Sequence, residues 1–202
     1  MIALIASLTI AASSAGGGNQ TAVLAGGCFW GVEAVFEHVK GVVRVTSGFA
    51  GGTVRSPSYE MVNSGATGHA ESVEIVYDPS KISYHKILEI FFSVAHDPTQ
   101  LNRQGPDEGT EYRSAIFYSD STQKREAESY VQELTRAKVY RQPIVTQIAQ
   151  LTKFYAAEDY HQDYALHNPT DPYIVYNDLP KVAHLKAKFP ELYREWTQPA
   201  SR

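Results

Sequence analysis

The order in which hydrophobic periodicities follow one another most narrows the folds open to this chain. Residues 21–25 are an apolar run that reads as a short buried strand, and Gly26-Gly27 breaks it. A helix opens near Cys28, with Val32, Val35, Phe36 and Val39 spaced i, i+3, i+4 and i+7, and Gly41 is expected to stop it as the C′ residue. Residues 42–48 are rich in β-branched side chains and predict a second strand; residues 71–77 predict a third, ended by Asp78-Pro79. Ser83 is placed to cap a helix with Tyr84, Ile87, Leu88, Phe91, Phe92 and Ala95 on one face, which Asp97-Pro98 closes. Residues 113–118 predict a fourth strand. The resulting order, β-α-β-β-α-β, is the split βαβ pattern of ferredoxin-like folds.

Beyond this core, a helix is expected over about 121–138, with Ala127, Tyr130, Val131 and Leu134 inward, then a strand over 144–151. From Phe154 the chain reads as an irregular tail of short helical pieces with proline turns at Pro169, Pro172, Pro180 and Pro190. Two long connections, 49–68 and 99–111, interrupt the core, and loops of that size in a compact domain usually serve a function. All 14 glycines lie between Gly16 and Gly109, so close backbone approach to a ligand is expected in the first half.

Residues 1–12 are nearly all apolar but too few to cross a bilayer. Their length fits a signal-peptide core, and the small residues up to Ala15 offer a cleavage site, although the first basic residue is Lys40. Residues 1–20 are therefore expected to be a leader and 21–202 a single domain, in a periplasmic or secreted protein; a disordered leader on a cytoplasmic protein is the alternative. No other stretch reads as transmembrane. The net charge of −4 gives no reason to expect nucleic acid or an anionic membrane as partner.

Cys28 is the single cysteine. It excludes a disulfide framework, a multi-cysteine zinc site, an iron–sulfur cluster and a Cys-x-x-Cys redox pair. A lone cysteine is often a buried small hydrophobe, but this one follows a strand and two glycines and opens a helix. The unpaired N–H groups and the dipole at a helix start favour a thiolate, so Cys28 is expected to be a nucleophile of lowered pKa. Trp30 lies about 200° round the helix from Val32, away from the apolar stripe, so Phe29-Trp30 is expected to wall an apolar pocket beside the thiol.

Glu71 has the strand parity of Val73, Ile75 and Tyr77 and should sit at the rim of the core face, where burial raises a carboxyl pKa. The pairing of His69 with Glu71 hints at a zinc deaminase, but that signature needs two further cysteines, and no metal site is expected. Seven histidines keep a Cys–His acyl-transfer hydrolase open, with His69 or His161 as base. A non-catalytic peptide-binding module with an aromatic pocket is a third reading.

A set of motifs, in order over about 23–174, resembles peptide methionine sulfoxide reductase of the A type. These are Gly27-Cys28-Phe29-Trp30-Gly31, Ser47-Gly48-Phe49-Ala50-Gly51-Gly52, Ser56-Pro57-Ser58-Tyr59, Gly68-His69-Ala70-Glu71 and Tyr77-Asp78-Pro79. His96-Asp97-Pro98-Thr99, Asp107-x-Gly109-Thr110-x-Tyr112-Arg113-Ser114, Ala157-Glu158-Asp159-Tyr160-His161-Gln162 and Pro172-Tyr173-Ile174 continue it. The resemblance implies an α+β two-layer sandwich and reduction of methionine-S-sulfoxide, free or in proteins, to methionine. It implies Cys28 as nucleophile, Glu71 as proton donor, Tyr59 and Tyr112 as hydrogen-bond donors to the sulfoxide oxygen, Phe29 and Trp30 around the methyl group, and Asp107 holding the substrate. The product on the enzyme is a Cys28 sulfenic acid. Many family members carry resolving cysteines near the C-terminus, whereas the tail from Trp196 to Arg202 has none. Recycling is therefore expected to need an external thiol, thioredoxin or glutathione with glutaredoxin, with a glutathione mixed disulfide preferred. No cofactor and a monomer are expected.

Overall fold

The structure, a computed structural model, describes residues 18–197. The apolar run and cleavage site expected at the amino terminus lie outside them. In chain order the elements are β1 (Gln20–Gly26), α1 (Phe29–Glu37), β2 (Val42–Ala50), α2 (Tyr59–Asn63), β3 (Ala70–Tyr77) and α3 (Tyr84–Ile90). Helix α3 runs on into a π-helical turn over Phe91–Ala95. A two-residue hairpin, β4 (Arg103–Gln104) with β5 (Asp107–Glu108), and a 3₁₀ turn (Thr110–Tyr112) precede β6 (Ser114–Tyr118). Then come α4 (Ser121–Arg136), β7 (Gln147–Gln150), β8 (Phe154–Ala156), a 3₁₀ turn (Asp159–His161), α5 (Tyr164–His167), a π turn (Ile174–Asp178) and α6 (Leu179–Lys188).

Six strands form one sheet in the order β7-β6-β1-β3-β2-β8. The inner four, β6-β1-β3-β2, are antiparallel throughout, and numbered among themselves they run 4-1-3-2, as the ferredoxin-like pattern requires. After α4 crosses over, β7 joins parallel to β6, while β8 adds antiparallel to β2. The main core lies between the helices and one sheet face, where Val73, Ile75 and Tyr77 of β3 meet Val32, Val35 and Phe36 of α1. The inward set expected of α3 is buried, including Tyr84, Ile87, Leu88, Phe91, Phe92 and Ala95. Among the described residues no helix is long and apolar enough to cross a membrane.

Several boundaries differ from expectation, each for a local reason. Helix α1 ends at Glu37 with His38 as its cap, so Gly41 is not the C′ residue; its positive φ of 92° turns the chain into β2 instead. The stretch before β7 leaves the sheet because Val145 donates to the Pro98 carbonyl at 2.8 Å. The tail is less irregular than expected, since it supplies β8, and Pro180 stands in the first turn of α6, where proline costs no helical hydrogen bond. Helix α1 is not amphipathic in its setting: Glu33 and Glu37 are as buried as the valine stripe. The sheet covers one side of α1, and α5, the second π turn and α6 cover the other.

Strand β8 brings the tail back onto the sheet at Gly48. A Cβ there would lie 2.3 Å from the Tyr155 carbonyl oxygen and 2.4 Å from the Phe154 ring. Gly48→Ala should therefore detach β8 and cost about 1–3 kcal/mol. Hydrogen exchange should speed up at Ala157, whose N–H donates to the Ser47 carbonyl at 2.9 Å, while amides pairing β1 with β3 stay protected; unchanged protection at Ala157 would refute this.

Candidate active site

The site is built at the end of β1. Gly27, at φ 88°, turns the chain from the strand into α1, and a Cβ on it would lie 2.4 Å from the side chain of Gln104. This turn leaves Cys28 as the N-cap residue of α1, 7% exposed. On the neighbouring strand β3, Glu71 occupies the core-facing parity and is 2% exposed. Its Oε2 accepts a hydrogen bond from the Phe29 N–H at 3.0 Å. One of the free donors at the helix start is thereby satisfied by a carboxyl oxygen from the sheet.

Burial pushes the Glu71 carboxyl up to about 8, against the opposing pull of the Phe29 N–H, so it holds its proton near neutrality. The expectation for Cys28 needs correction. Burial first, then the negative charges of Glu71 and Asp178, push the thiol well above its ordinary value. The Trp30 backbone N–H and Lys181 act in the other direction and are outweighed. The helix start contributes as expected, but the partial charge of an amide is smaller than the cost of desolvating an anion in this pocket. While Glu71 remains protonated, the thiol is spared the larger of the two repulsions.

Aromatic rings line the other side. Phe29 is 1% exposed and belongs to the core, with its ring centroid 5.1 Å from that of His161, 5.8 Å from Phe49 and 6.4 Å from Tyr59. Trp30, half-buried, turns away from the valine stripe and stacks on Tyr164 at 3.8 Å and 9°. Tyr59 is anchored by its backbone N–H, which donates to Glu158 Oε1 at 3.0 Å. The Tyr112 hydroxyl donates to Asn63 Oδ1 at 3.3 Å. Burial and then the Glu71 charge raise both phenols, Tyr59 to about 12, so both are neutral donors. Asp107 accepts a hydrogen bond from the Tyr173 hydroxyl and lines a cleft of about 70 Å³ with Cys28.

All seven residues singled out for this site in the sequence thus lie around one locus. The histidines separate. His69 is used up by the loop beside it, its Nδ1 accepting from the Gly52 N–H at 3.1 Å and its Nε2 donating to the Val54 carbonyl at 2.8 Å. His161 joins the aromatic cluster, and its Nδ1 accepts from Trp30 Nε1 at 3.3 Å, which places its proton on Nε2. Neither is hydrogen-bonded to Cys28, so the Cys–His base geometry of an acyl-transfer hydrolase is not formed. The residues that sequence reasoning left out come from the tail: Tyr164, Tyr173, Asp178 and Lys181. Tyr173 stood in the Pro172-Tyr173-Ile174 motif without an assigned role, and the i, i+3 spacing of Asp178 and Lys181 did not point to Cys28. Among the described residues no group of three His, Cys, Asp or Glu side chains is placed to hold a metal ion.

The raised Glu71 carboxyl has a consequence for stability. In the folded chain it is protonated up to about pH 8, whereas in the unfolded chain it ionises near 4.5. Between these values the unfolded state binds fewer protons, so stability falls as pH rises, by at most about 1.4 kcal/mol per unit. Glu71→Gln keeps the acceptor for Phe29 and does not titrate. The variant should match the wild type at pH 4 and exceed it by up to roughly 4 kcal/mol at pH 8 in urea unfolding. A difference that stays constant with pH would show that Glu71 is not held neutral.

Comparison with known proteins places this geometry in a family. The family model described as peptide methionine sulfoxide reductase matches residues 20–193. A curated relative, peptide methionine sulfoxide reductase MsrA 2 of Mesorhizobium japonicum, is 61% identical over 178 residues, covering 88% of this chain and 91% of the relative. The crystal structure of Mxr1 from Saccharomyces cerevisiae in reduced form matches with a TM-score of 0.71 and 34% identity, covering 76% of this chain and 87% of that one. The same yeast protein in complex with Trx2 matches with a TM-score of 0.52 and 25% identity, over 73% of this chain and 85% of that one. With its motifs in order, its ferredoxin-like core and a family match over most of its length, the chain belongs to the peptide methionine sulfoxide reductase family.

Proposed function

We propose that this chain reduces methionine-S-sulfoxide, free and in proteins, at Cys28, with Glu71 as proton donor, and so repairs oxidised proteins. The observation that carries the residue roles is the pairing of the two groups across the helix start: a buried neutral carboxyl is hydrogen-bonded to the residue next to the only thiol. Sulfoxide sulfur becomes electrophilic as its oxygen gains a proton. The reaction therefore needs an acid that still holds its proton near pH 7 and a sulfur nucleophile beside it.

In the first step Cys28 Sγ attacks the substrate sulfur while Glu71 gives its proton to the sulfoxide oxygen. The thiol proton returns to the carboxylate that Glu71 becomes. The oxygen ends on Cys28, so methionine sulfoxide and Cys28 thiol yield methionine and Cys28 sulfenic acid, with sulfur of the substrate reduced and that of Cys28 oxidised. Tyr59 and Tyr112 add neutral O–H donors where negative charge develops on the oxygen. Phe29 and Trp30 bound the space for the methyl group, and Asp107 orients the rest of the substrate.

The chain has no second cysteine, so recycling draws on an external thiol, two equivalents of which return Cys28 to the thiol and leave a disulfide and water. The complex of yeast Mxr1 with Trx2 supports a thioredoxin for this role, and glutathione with glutaredoxin is the second candidate. Residues 21 onward act as one catalytic domain, working as a monomer. Residues 1–15 act as an export leader that directs the domain to the periplasm or outside the cell.

An oxidised methionyl peptide with dithiothreitol, followed by mass for loss of one oxygen, tests the first step. Cys28→Ser should abolish S-selective reduction, and Glu71→Gln should slow it about 10²–10⁴-fold with the fold intact. Wild-type turnover in Glu71→Gln would remove that residue from the mechanism. The rate should also fall above about pH 8, where Glu71 loses its proton. Intact mass after one turnover with glutathione as the only thiol should show one glutathionyl group on Cys28 if the mixed-disulfide route operates; fast return to the free thiol with thioredoxin alone would count against that route.

A further inference from the structure

The cleft beside Cys28 holds a charged pair that the reduction step above does not use. Its lining includes Cys28, Gln104, Asp107, Tyr173, Asn177 and Lys181. Lys181 is the one cation in that lining. Its Nζ donates to Asp178 Oδ1 at 3.0 Å, and its side chain is only 20% exposed. Asp178 is fully buried, and its Oδ2 has no hydrogen-bond partner. The pair is pressed against α1 one turn beyond the thiol: a Cβ on Gly31 would lie 2.1 Å from Asp178 Oδ1 and 2.6 Å from Lys181 Nζ. Gly31 thus lets the tail dock its ion pair directly on the helix that begins at Cys28.

We propose that Lys181, held by Asp178 across Gly31, is the counter-ion that lets Cys28 become an anion when it attacks and when it leaves a mixed disulfide. The proposal rests on Cys28 being the reacting thiol. The need for such a cation follows from the other groups that act on the sulfur. Glu71 faces it from β3, Asp178 from the second π turn, and the phenols of Tyr59, Tyr112, Tyr164 and Tyr173 stand around it. Asp107 adds a carboxylate to the cleft wall. None of these carries positive charge, so the burden falls on the backbone N–H of Trp30 and, after it, on Lys181, the one full positive charge among them. The ion pair also explains how a buried carboxylate is tolerated at Asp178: it is the anchor that fixes the ammonium rather than a group acting on substrate.

Alkylation of Cys28 by iodoacetamide as a function of pH tests this without sulfoxide or reductant, so its outcome is separate from whether the chain reduces sulfoxides. Lys181→Met should slow alkylation at pH 7 about tenfold, with rates converging with the wild type at high pH. Lys181→Arg should restore most of the rate. Asp178→Asn should act in the opposite direction and speed alkylation, because it removes a negative charge while its amide oxygen can still accept from Lys181 Nζ. If the pair were only a structural clip, both variants would loosen the tail and shift alkylation the same way. That result, or a Lys181→Met profile superimposable on the wild type with unchanged melting, would overturn the proposal.

Discussion

The hydrogen bond from the Phe29 N–H to Glu71 Oε2 ties together the two elements on which the site depends. It joins the first turn of α1 to the core face of β3, in a place where neither group can reach water. A helix start supplies a donor that its own backbone cannot satisfy, and a buried carboxyl supplies an acceptor that would otherwise be orphaned. Each satisfies the other, and the result is a fixed distance between a thiol and an acid. The same burial that makes the bond necessary keeps the acid protonated. Geometry and proton inventory therefore have one cause.

The ferredoxin-like core makes this junction possible but does not complete the site. The β1-to-α1 turn and strand β3 come from the core, since β3 is the direct neighbour of β1 in the sheet. The tail does the rest. Strand β8 pairs with β2 and delivers Glu158 to the Tyr59 backbone and His161 to the Trp30 indole. Gln162 locks this return by bonding to both the N–H and the carbonyl of Ser47. The second π turn and α6 then bury the outer side of α1 and place Tyr173, Asp178 and Lys181 at the thiol. A helix that would be half-exposed on a plain two-layer fold becomes buried on both sides, and Cys28 and Glu71 at its end are buried with it.

Burial carries opposite consequences for Cys28 and Glu71. It favours neutral Glu71, which suits a proton donor, and neutral Cys28, which does not suit a nucleophile. The proposed mechanism resolves the conflict by coupling them. In it the thiol loses a proton as the carboxyl gives one up, so the net charge of the pocket changes little through the reaction. On the same proposal, Asp178 and Lys181 add fixed charge near the sulfur that tunes how far the coupling leans toward the thiolate.

The periodic spacing of Val32, Val35 and Phe36, the parity of Glu71 with Val73 and Ile75, and the order of the first four strands were enough to place the core, because local period dictates which face is buried. The ordered motifs around Cys28, Tyr59, Glu71 and Asp107 were enough to name the family and the residues that gather at the site. What the tail does was not legible. The pairing of residues 154–156 with β2 is set by a glycine 106 residues earlier that leaves room for a carbonyl, and nothing local to Phe154 records it. The state of Cys28 was also beyond the sequence. A helix start argues for a lowered pKa, but desolvation and the carboxylates brought in from β3 and the second π turn reverse the balance. Local pattern thus determined which residues meet and which fold brings them there. Tertiary structure decided how far each is removed from water and which distant charges share its pocket, and those two quantities set the protons.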